Sequence, residues 1–190
     1  MLKKTESLAW LILLLSFFAC ITLAIGVPLG ARSFVLNSTR PLTMVLEPRG
    51  GTITYQAPGD PPFVVETTTE VQPKGKVELE ADGDALLLVY HPDEDEAPIG
   101  TIQLYNRTSV VLGQATTPRF EASKQPHRIG LEVTQALNMR PSLTGNGRAV
   151  VARFSTPQGP IVLEQGYFHL IVEQARTELT VRSGRATVTD

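Results

Sequence analysis

The chain has 190 residues and a formal net charge of −2, from 17 Lys and Arg against 19 Asp and Glu. This length suits one domain with an accessory segment, and the charge offers no global basic field for nucleic acid. A hydrophobic content of 42% excludes a fully disordered chain, and a single cysteine excludes a disulfide scaffold. The 15 Gly and 14 Pro have no fixed period, which excludes a collagen-like chain and indicates many turns.

The first feature along the chain is an apolar run over residues 8–27. These twenty residues include no charge and no proline, and as a helix they would extend about 30 Å, the thickness of a bilayer's hydrocarbon core. Lys3 and Lys4 precede the run, and no basic residue follows before Arg32. The positive-inside bias therefore places residues 1–7 in the cytoplasm and the chain beyond the run outside it.

A cleaved signal peptide is the competing interpretation of this run. Its apolar region usually has about 7–15 residues, so the longer run favours an uncleaved signal-anchor helix, with Cys20 as a small apolar side chain in the membrane. A cytoplasmic tail of seven residues cannot fold, so we expect the function to reside outside. The predicted organisation is a cytoplasmic tail (1–7), a transmembrane signal-anchor helix (8–27), a stalk or edge strand (28–48) and an extracytoplasmic β-domain (49–190).

The chain beyond residue 48 has the pattern of short β-strands bounded by turn residues. Residues 76–81 alternate charged and apolar side chains, as in a half-buried strand, and residues 85–90 are a continuous apolar run that suits a sandwich interior. We therefore predict an all-β domain, a β-sandwich or barrel-like roll of about 11–12 short strands. The predicted strands are 52–56, 63–69, 76–81, 85–90, 101–105, 109–112, 128–133, 149–155, 160–164, 167–172, 177–181 and 185–188.

Charge is segregated along this domain. Residues 59–96 carry eleven acids against two lysines, and residues 100–154 carry seven basic residues against two glutamates. One interpretation is that the two segments face and partly neutralise one another. The other is a charged surface that holds a partner or an envelope polymer, for which Arg119, Arg128 and Arg153 are the candidate contact residues.

Familiar catalytic motifs are missing, since neither H-E-x-x-H nor G-x-S-x-G occurs. His91, His127 and His169 lie in different predicted elements. Residues 91–96 are the best metal candidate, but their acids are consecutive and point in different directions, so we interpret them as a solvated acidic loop. Residues 145–147, Gly-Asn-Gly, lack the further glycine of a dinucleotide loop and are interpreted as a turn. We expect no enzymatic activity, no metal and no cofactor.

The C-terminal third carries a known pattern. Residues 156–159 (TPQG), 166–170 (GYFHL), 177–181 (TELTV) and 184–188 (GRATV) resemble the end of the FecR-type periplasmic domain. In that family a Thr-Pro-x-Gly turn leads to a Gly-x-Phe strand, and a Thr/Val-rich hairpin follows. The resemblance implies an all-β extracytoplasmic domain, which in founding members senses a transporter and relays to a sigma factor. Founding members also carry a folded cytoplasmic anti-sigma segment, which residues 1–7 cannot form. The Arg-Gly-Thr that usually precedes the Phe is Glu-Gln-Gly at 164–166 here.

Several residues of this pattern are expected to shape the backbone rather than bind a ligand, because glycine and proline suit turns and bulges. These predicted turn residues are Thr156, Pro157, Gly159, Gly166 and Gly184.

The expected function is that of a single-pass membrane protein whose β-domain binds another envelope protein, as a non-catalytic sensor subunit or scaffold. A module that binds envelope polysaccharide or peptidoglycan is the alternative, with Tyr55, Tyr90, Tyr105 and Tyr167 as its few aromatic platforms. An exported enzyme without a recognisable motif is a third hypothesis. Nucleic acid is not expected as a partner.

Overall fold

The computed structural model describes residues 2–92 and 97–188, with the side chains of the N-terminal helix described from Trp10 onward. Within these residues one helix is followed by fifteen strands. The mostly antiparallel strands form a curled sheet that follows the helix, which confirms the predicted all-β class. Three strands exceed the predicted number because residues 39–50 form two of them, and the predicted strand 63–69 is divided into two.

The helix is α1 (Leu2–Asn37). The strands, numbered in chain order, are β1 (Thr39–Pro41), β2 (Thr43–Gly50), β3 (Ile53–Gln56), β4 (Phe63–Val64), β5 (Thr69–Val71), β6 (Lys76–Leu79), β7 (Asp84–Tyr90), β8 (Gly100–Tyr105), β9 (Ser109–Pro118), β10 (His127–Leu143), β11 (Val150–Thr156), β12 (Gly159–Glu164), β13 (Gly166–Val172), β14 (Thr177–Ser183) and β15 (Ala186–Val188).

The strands form two sheets, and β10 belongs to both. The first sheet has the order β4-β3-β6-β9-β10-β11-β12-β15, with β1 beside the end of β9. The second sheet has the order β5-β2-β7-β8-β10-β13-β14. The described pairs are antiparallel apart from β10 with β11, which is parallel.

Strand β10 changes sheet along its length. Its residues 127–132 pair with β11, whereas residues 136–143 pair with β13. The register shifts between Val133 and Gln135, and such a bulge bends a strand and increases its twist. The sequence predicted only residues 128–133, because the bulges and Pro141 interrupt the alternation on which that prediction relied.

The core lies between the inner faces of the two sheets. Inward residues alternate with outward ones along most strands, as in β8, where every second residue is buried. The largest side chains with less than 2% exposure come from both sheets and from the connection before β8; they are Phe154, Met44, Leu46, Ile53, Leu87, Ile99, Ile102, Leu104, Leu112, Ile129, Met139 and Leu143.

Strand β2 differs from the predicted stalk. It pairs with β7 on one side and β5 on the other, and its side chains Met44 and Leu46 are 2% and 0% exposed. Residues 43–48 are therefore an interior strand of the second sheet, and the β-domain begins with β1 rather than at residue 49. The segment between Pro41 and Pro48 is too short for its alternation of buried and exposed residues to predict a strand.

The helix α1 is also longer than predicted, since it continues through Pro28 to Asn37. Within the described part of the chain, Trp10–Asn37 is the one helix long and apolar enough to cross a membrane, with a mean hydropathy of 2.5 and none of its apolar window buried in protein. Proline removes one backbone donor but does not end this helix. Residues 28–37, predicted as stalk or edge strand, are instead helical.

The domain supplies a cap for the end of α1. The last carbonyls of a helix lack partners within it. The carbonyl oxygen of Leu36 accepts hydrogen bonds from Ser123 Oγ at 2.8 Å and Gln125 Nε2 at 3.2 Å. The rings of Phe34 and Phe120 also meet edge to face, with centroids 5.9 Å apart. Residues 119–126, which we call the capping loop, thus join the helix to the domain.

Two glycines approach each other where β13 and β14 meet. Gly166 and Gly184 have φ values of +153° and +92°, in the region that favours glycine. A Cβ atom on Gly184 would collide with the carbonyl oxygen of Gln165 and lie 2.9 Å from the Cα of Gly166. Both the backbone conformation and the lack of space therefore require glycine at residue 184.

We expect Gly184→Ala to lower the free energy of unfolding by about 3 kcal/mol, from strain and collision together. Gly59→Ala is the matched control, because Gly59 has a similar φ of +87° but open space around its Cα. The control should lose only about 1 kcal/mol. Urea unfolding of the full chain in detergent, followed by circular dichroism, gives both values; equal losses would refute the steric part of this account.

Candidate functional site

A polar cavity of about 480 Å³ lies at the end of the domain that holds α1. Among the described residues, six ionisable side chains line it: Arg40, His91, Arg119, Glu121, His127 and Arg148. They come from the ends of strands or the connections between them. The fold therefore gathers residues that are up to 108 positions apart in the sequence.

The two sides of the cavity are joined by Arg40 and His91. Arg40 lies in β1, just beyond α1, and His91 directly follows β7. Arg40 Nη2 donates to His91 Nε2 at 3.0 Å, and because a guanidinium only donates, Nε2 is the acceptor nitrogen of the imidazole. In the neutral ring the proton then lies on Nδ1. That nitrogen is shielded from solvent and has no hydrogen-bond partner among the described residues.

The second histidine is held in a neutral state. His127 is 4% exposed, and its Nδ1 lies 2.9 Å from Thr117 Oγ1. Burial lowers the pKa of His127 from 6.5 to about 4, helped by the positive charge of Arg148 and by His91, and opposed by a hydrogen bond with the Gly145 backbone. The rings of the two histidines are 6.2 Å apart, centroid to centroid.

The Thr117–His127 pair has the spacing of a nucleophile and its base. A general base works best when its pKa is near the working pH. With a pKa of about 4, His127 is a weak base at neutral pH. Thr117 is also only 1% exposed, which leaves its hydroxyl little access to a substrate. The pair is therefore poorly placed to act on a substrate from solvent.

Arg148 holds the capping loop in place. Its Nη1 donates to the carbonyl oxygens of Ser123 and, at 3.0 Å, Gln125, and its Nη2 donates to that of Glu121 at 3.4 Å. One guanidinium thus satisfies three backbone acceptors of the loop on which α1 ends. Its charge remains at the wall of the cavity.

The structure separates the three arginines that the sequence selected. Arg119 lines the cavity. Arg128 and Arg153 are exposed on the outer face of the first sheet, on the adjacent strands β10 and β11. Among the described residues, no ion pair joins either of them to the acidic segment 59–96. The four acids 93–96 of the predicted loop lie outside the described residues.

The predicted turn residues occupy the β11–β12 hairpin and the glycine pair described above. Pro157 and Gln158 form the turn between the two strands, and Thr156 Oγ1 donates to the Gly159 carbonyl at 2.8 Å. Gly159 has a φ of +132°. In residues 2–92 and 97–188, no three His, Cys, Asp or Glu side chains come close enough together to hold a metal ion.

A second concave surface lies on the outer face of the second sheet. This groove of about 620 Å³ is lined by residues that include Gln103, Arg140, Tyr167 and Arg182. Tyr167 is 56% exposed, and the Arg140 guanidinium lies 5.2 Å from the ring of nearby Tyr105. Tyr55, by contrast, is 3% exposed and its hydroxyl accepts a hydrogen bond from the Gln72 backbone, so it is a core residue rather than an aromatic platform.

The third feature is an open edge of the sandwich between β14 and β15. Each of these strands has a described partner on one side only, β13 and β12 respectively. Val181 lies opposite buried Phe168, and Val188 lies opposite buried Ile161, so both valines are on the inner faces of the sheets. They are nevertheless 45% and 60% exposed. We call Val181, Val188 and the two strands the open edge.

Comparison of the chain with protein-family models, curated protein sequences and solved structures finds no match. Sequence reasoning selected Arg119 as a contact residue and considered His91 and His127 only as possible metal ligands. It did not bring the cavity residues together, because Arg40, His91, His127 and Arg148 are isolated in the sequence. The open edge was also missed, since alternation alone does not show where a covering strand is lacking.

The depressed pKa of His127 predicts a pH dependence of stability. The unfolded chain binds this proton more readily than the folded chain, so the free energy of unfolding is highest above pH 6.5 and falls toward pH 4. We expect His127→Gln to remove about 2 kcal/mol of that fall. His169→Gln, at a half-buried histidine of β13, is the control and should retain it. Urea titrations between pH 4.5 and 7.5 test this, and an unchanged slope in His127→Gln would contradict it.

Proposed function

We propose that this chain is a single-pass membrane protein whose β-domain lies outside the cytoplasm and binds another envelope protein, as a non-catalytic sensor subunit or scaffold. The observation that carries the proposal is the open edge, where two inward-facing valines lack a cover.

The membrane part of the proposal rests on α1. Its apolar length exceeds what a bilayer core requires, and its described side chains are not packed against the domain over the apolar window. Lys3 and Lys4 before the apolar run favour a cytoplasmic N-terminus. Contacts of Ser123 and Gln125 with the end of the helix then suit a domain that stands directly on its anchor.

The partner is inferred to be an extended segment of another protein that pairs with β14. The outer side of β14 presents backbone N–H and C=O groups to which an added strand can bond, as in β-strand addition. Leu179 and Ala186 already pack against the core beside this edge. An added strand with alternating apolar side chains would cover Val181 and Val188, removing exposed apolar surface from water.

The role as a sensor or scaffold rather than an enzyme is supported by two observations. Thr117 and His127, the nucleophile-like pair found among the described residues, are buried, and the base of the pair is weak because the pKa of His127 is about 4. Residues 156–188, which resemble the FecR-type domain, include the hairpin and glycine pair that shape the open edge. The founding members of the FecR-type family bind partner proteins, and the resemblance to them therefore supports a partner at the open edge.

Val181→Glu should abolish partner binding, because a buried unpaired charge at the added strand opposes association. Thr180→Glu is the control, since Thr180 is the exposed neighbour on the opposite face of the same strand. A photoreactive amino acid at residue 188 in cells of the native host, followed by mass spectrometry, measures the adduct. We expect one discrete protein attached through a defined segment, lost in Val181→Glu and kept in Thr180→Glu.

Two results would overturn this proposal. One is an adduct only with a second copy of the chain, which would make the edge a homodimer interface. The other is an adduct that both variants retain, which would place the contact elsewhere. Melting of the purified variants controls for folding, since both positions are exposed.

A polysaccharide- or peptidoglycan-binding module is the second candidate, favoured by the groove on the second sheet. The exposed ring of Tyr167 together with Arg140, Arg182 and Gln103 gives a stacking surface beside hydrogen-bond donors and acceptors. Such a combination suits sugars, which offer both apolar ring faces and hydroxyl groups.

If the domain binds sugars through this groove, Tyr167→Ala should weaken the affinity of the full chain for cell-wall polysaccharide about tenfold, a loss of about 1.4 kcal/mol of binding free energy. Co-sedimentation at low salt measures this affinity. Phe63→Ala is the control, because Phe63 is a similarly exposed aromatic on β4 of the other sheet. Equal binding by wild type and Tyr167→Ala would exclude the groove as a sugar site.

A further inference from the structure

We infer that the end of α1 and the capping loop form a surface that lies in the outer head-group layer of the bilayer, so that the β-domain is held against the membrane. The inference rests on the membrane anchoring in the proposed function, but not on a partner at the open edge. We call this surface the lipid-facing patch. It comprises Phe34, Phe120 and the exposed residues of the capping loop, which are Arg119, Glu121, Ala122 and Lys124.

The aromatic part of the patch continues the apolar surface of the helix. The Phe34 ring packs edge to face on the Phe120 ring, with centroids 5.9 Å apart, yet Phe34 is still 58% exposed. Leu23 and Val27 lie eleven and seven residues before Phe34, on the same face of α1, and they are exposed as well. Contiguous apolar surface of this kind marks a contact with a membrane or a partner. The bilayer that covers Leu23 and Val27 is the occupant that extends directly to the patch.

The length of α1 places Phe34 at the level of the head groups. Trp10 is exposed near the N-terminal end of the apolar run, where an amphipathic ring suits the membrane interface. A hydrocarbon core of about 30 Å spans about 20 helical residues, so a core that begins at Trp10 ends near Gly30. Phe34 then lies about 6 Å beyond the core, within a head-group layer of about 5–8 Å.

The capping loop is fixed at nearly the same level. Gln125 Nε2 donates to the Leu36 carbonyl oxygen at 3.2 Å and to Asn37 Oδ1 at 3.1 Å. Both acceptors lie within three residues of Phe34, which is about 5 Å along the helix axis. The Phe120 ring reaches back to the Phe34 ring itself. The loop therefore cannot leave this level without breaking its bonds to the helix.

The exposed charges of the loop also suit an interface. Arg119 and Lys124 stand against the single acid Glu121. The Arg119 guanidinium lies 5.8 Å from the centroid of the Phe120 ring. Long basic side chains keep an apolar stem beside the acyl chains and their charge at the head groups, where anionic lipids attract it.

The test measures the depth of single tryptophans in the full chain, reconstituted into phosphatidylcholine–phosphatidylglycerol vesicles. Lipids brominated near the head-group end of the acyl chain quench a tryptophan at that depth. Wild type has Trp10 alone and reports on the anchor. Phe120→Trp in a Trp10→Phe background reports on the patch, and we expect it to lose about half of its fluorescence in brominated vesicles.

Phe63→Trp in the same background is the matched control. Phe63 is also an exposed phenylalanine, and its register through β3 and β6 places it level with Val110 of β9. Val110 is eight residues from Pro118, at the end of β9 that pairs with β1 beside α1, a distance of about 25 Å along the strand. We therefore expect Phe63→Trp to keep its fluorescence in brominated vesicles.

The outcomes separate this inference from the proposed function. If Trp10 is not quenched, the membrane anchoring itself fails. If Trp10 is quenched but Phe120→Trp is quenched no more than Phe63→Trp, the anchoring stands and the lipid-facing patch is overturned. Should Phe120→Trp melt well below its Trp10→Phe parent, a photoreactive amino acid at exposed residue 122 decides instead: a phospholipid adduct supports the patch, and its absence overturns it.

Discussion

Strand β10 is the constraint on which the rest of the domain depends. Because its backbone is hydrogen-bonded in both sheets, the sheets cannot slide or separate without breaking one continuous ladder. Its first residue, His127, lies at the cavity, and its last residue, Leu143, pairs with Gly166 of the glycine pair. The cavity and the open edge are therefore held at fixed positions by the two ends of the same strand.

The junction between helix and domain extends this constraint to α1. Arg148 bonds the capping loop, and the capping loop in turn bonds the end of α1 through Ser123 and Gln125. The bonds of Arg148 are charge-assisted and therefore stronger than neutral ones, whereas the bonds of Ser123 and Gln125 to α1 are neutral. A displacement of the helix end would thus act on Arg148 and on the cavity wall it belongs to.

Sequence reasoning predicted the elements whose pattern is local. Alternation located most strands, and the apolar run located the helix, because burial on one face imposes a period on the sequence. It missed the second half of β10, where bulges and Pro141 break the period, and it ended the helix at residue 27 because the cap that extends it comes from Ser123 and Gln125. The cavity could not be predicted from local sequence patterns, because its residues are far apart in the sequence and come together only through the sheet topology.

The cavity is also the place where this sequence departs most from what folding alone favours. The Nδ1 of His91 is shielded from solvent and has no hydrogen-bond partner among the described residues, and such a buried polar atom costs free energy. Elsewhere the interior is filled by apolar side chains such as Phe154 and Leu104. Local conflicts of this kind are expected at functional sites, where a ligand supplies the missing interactions.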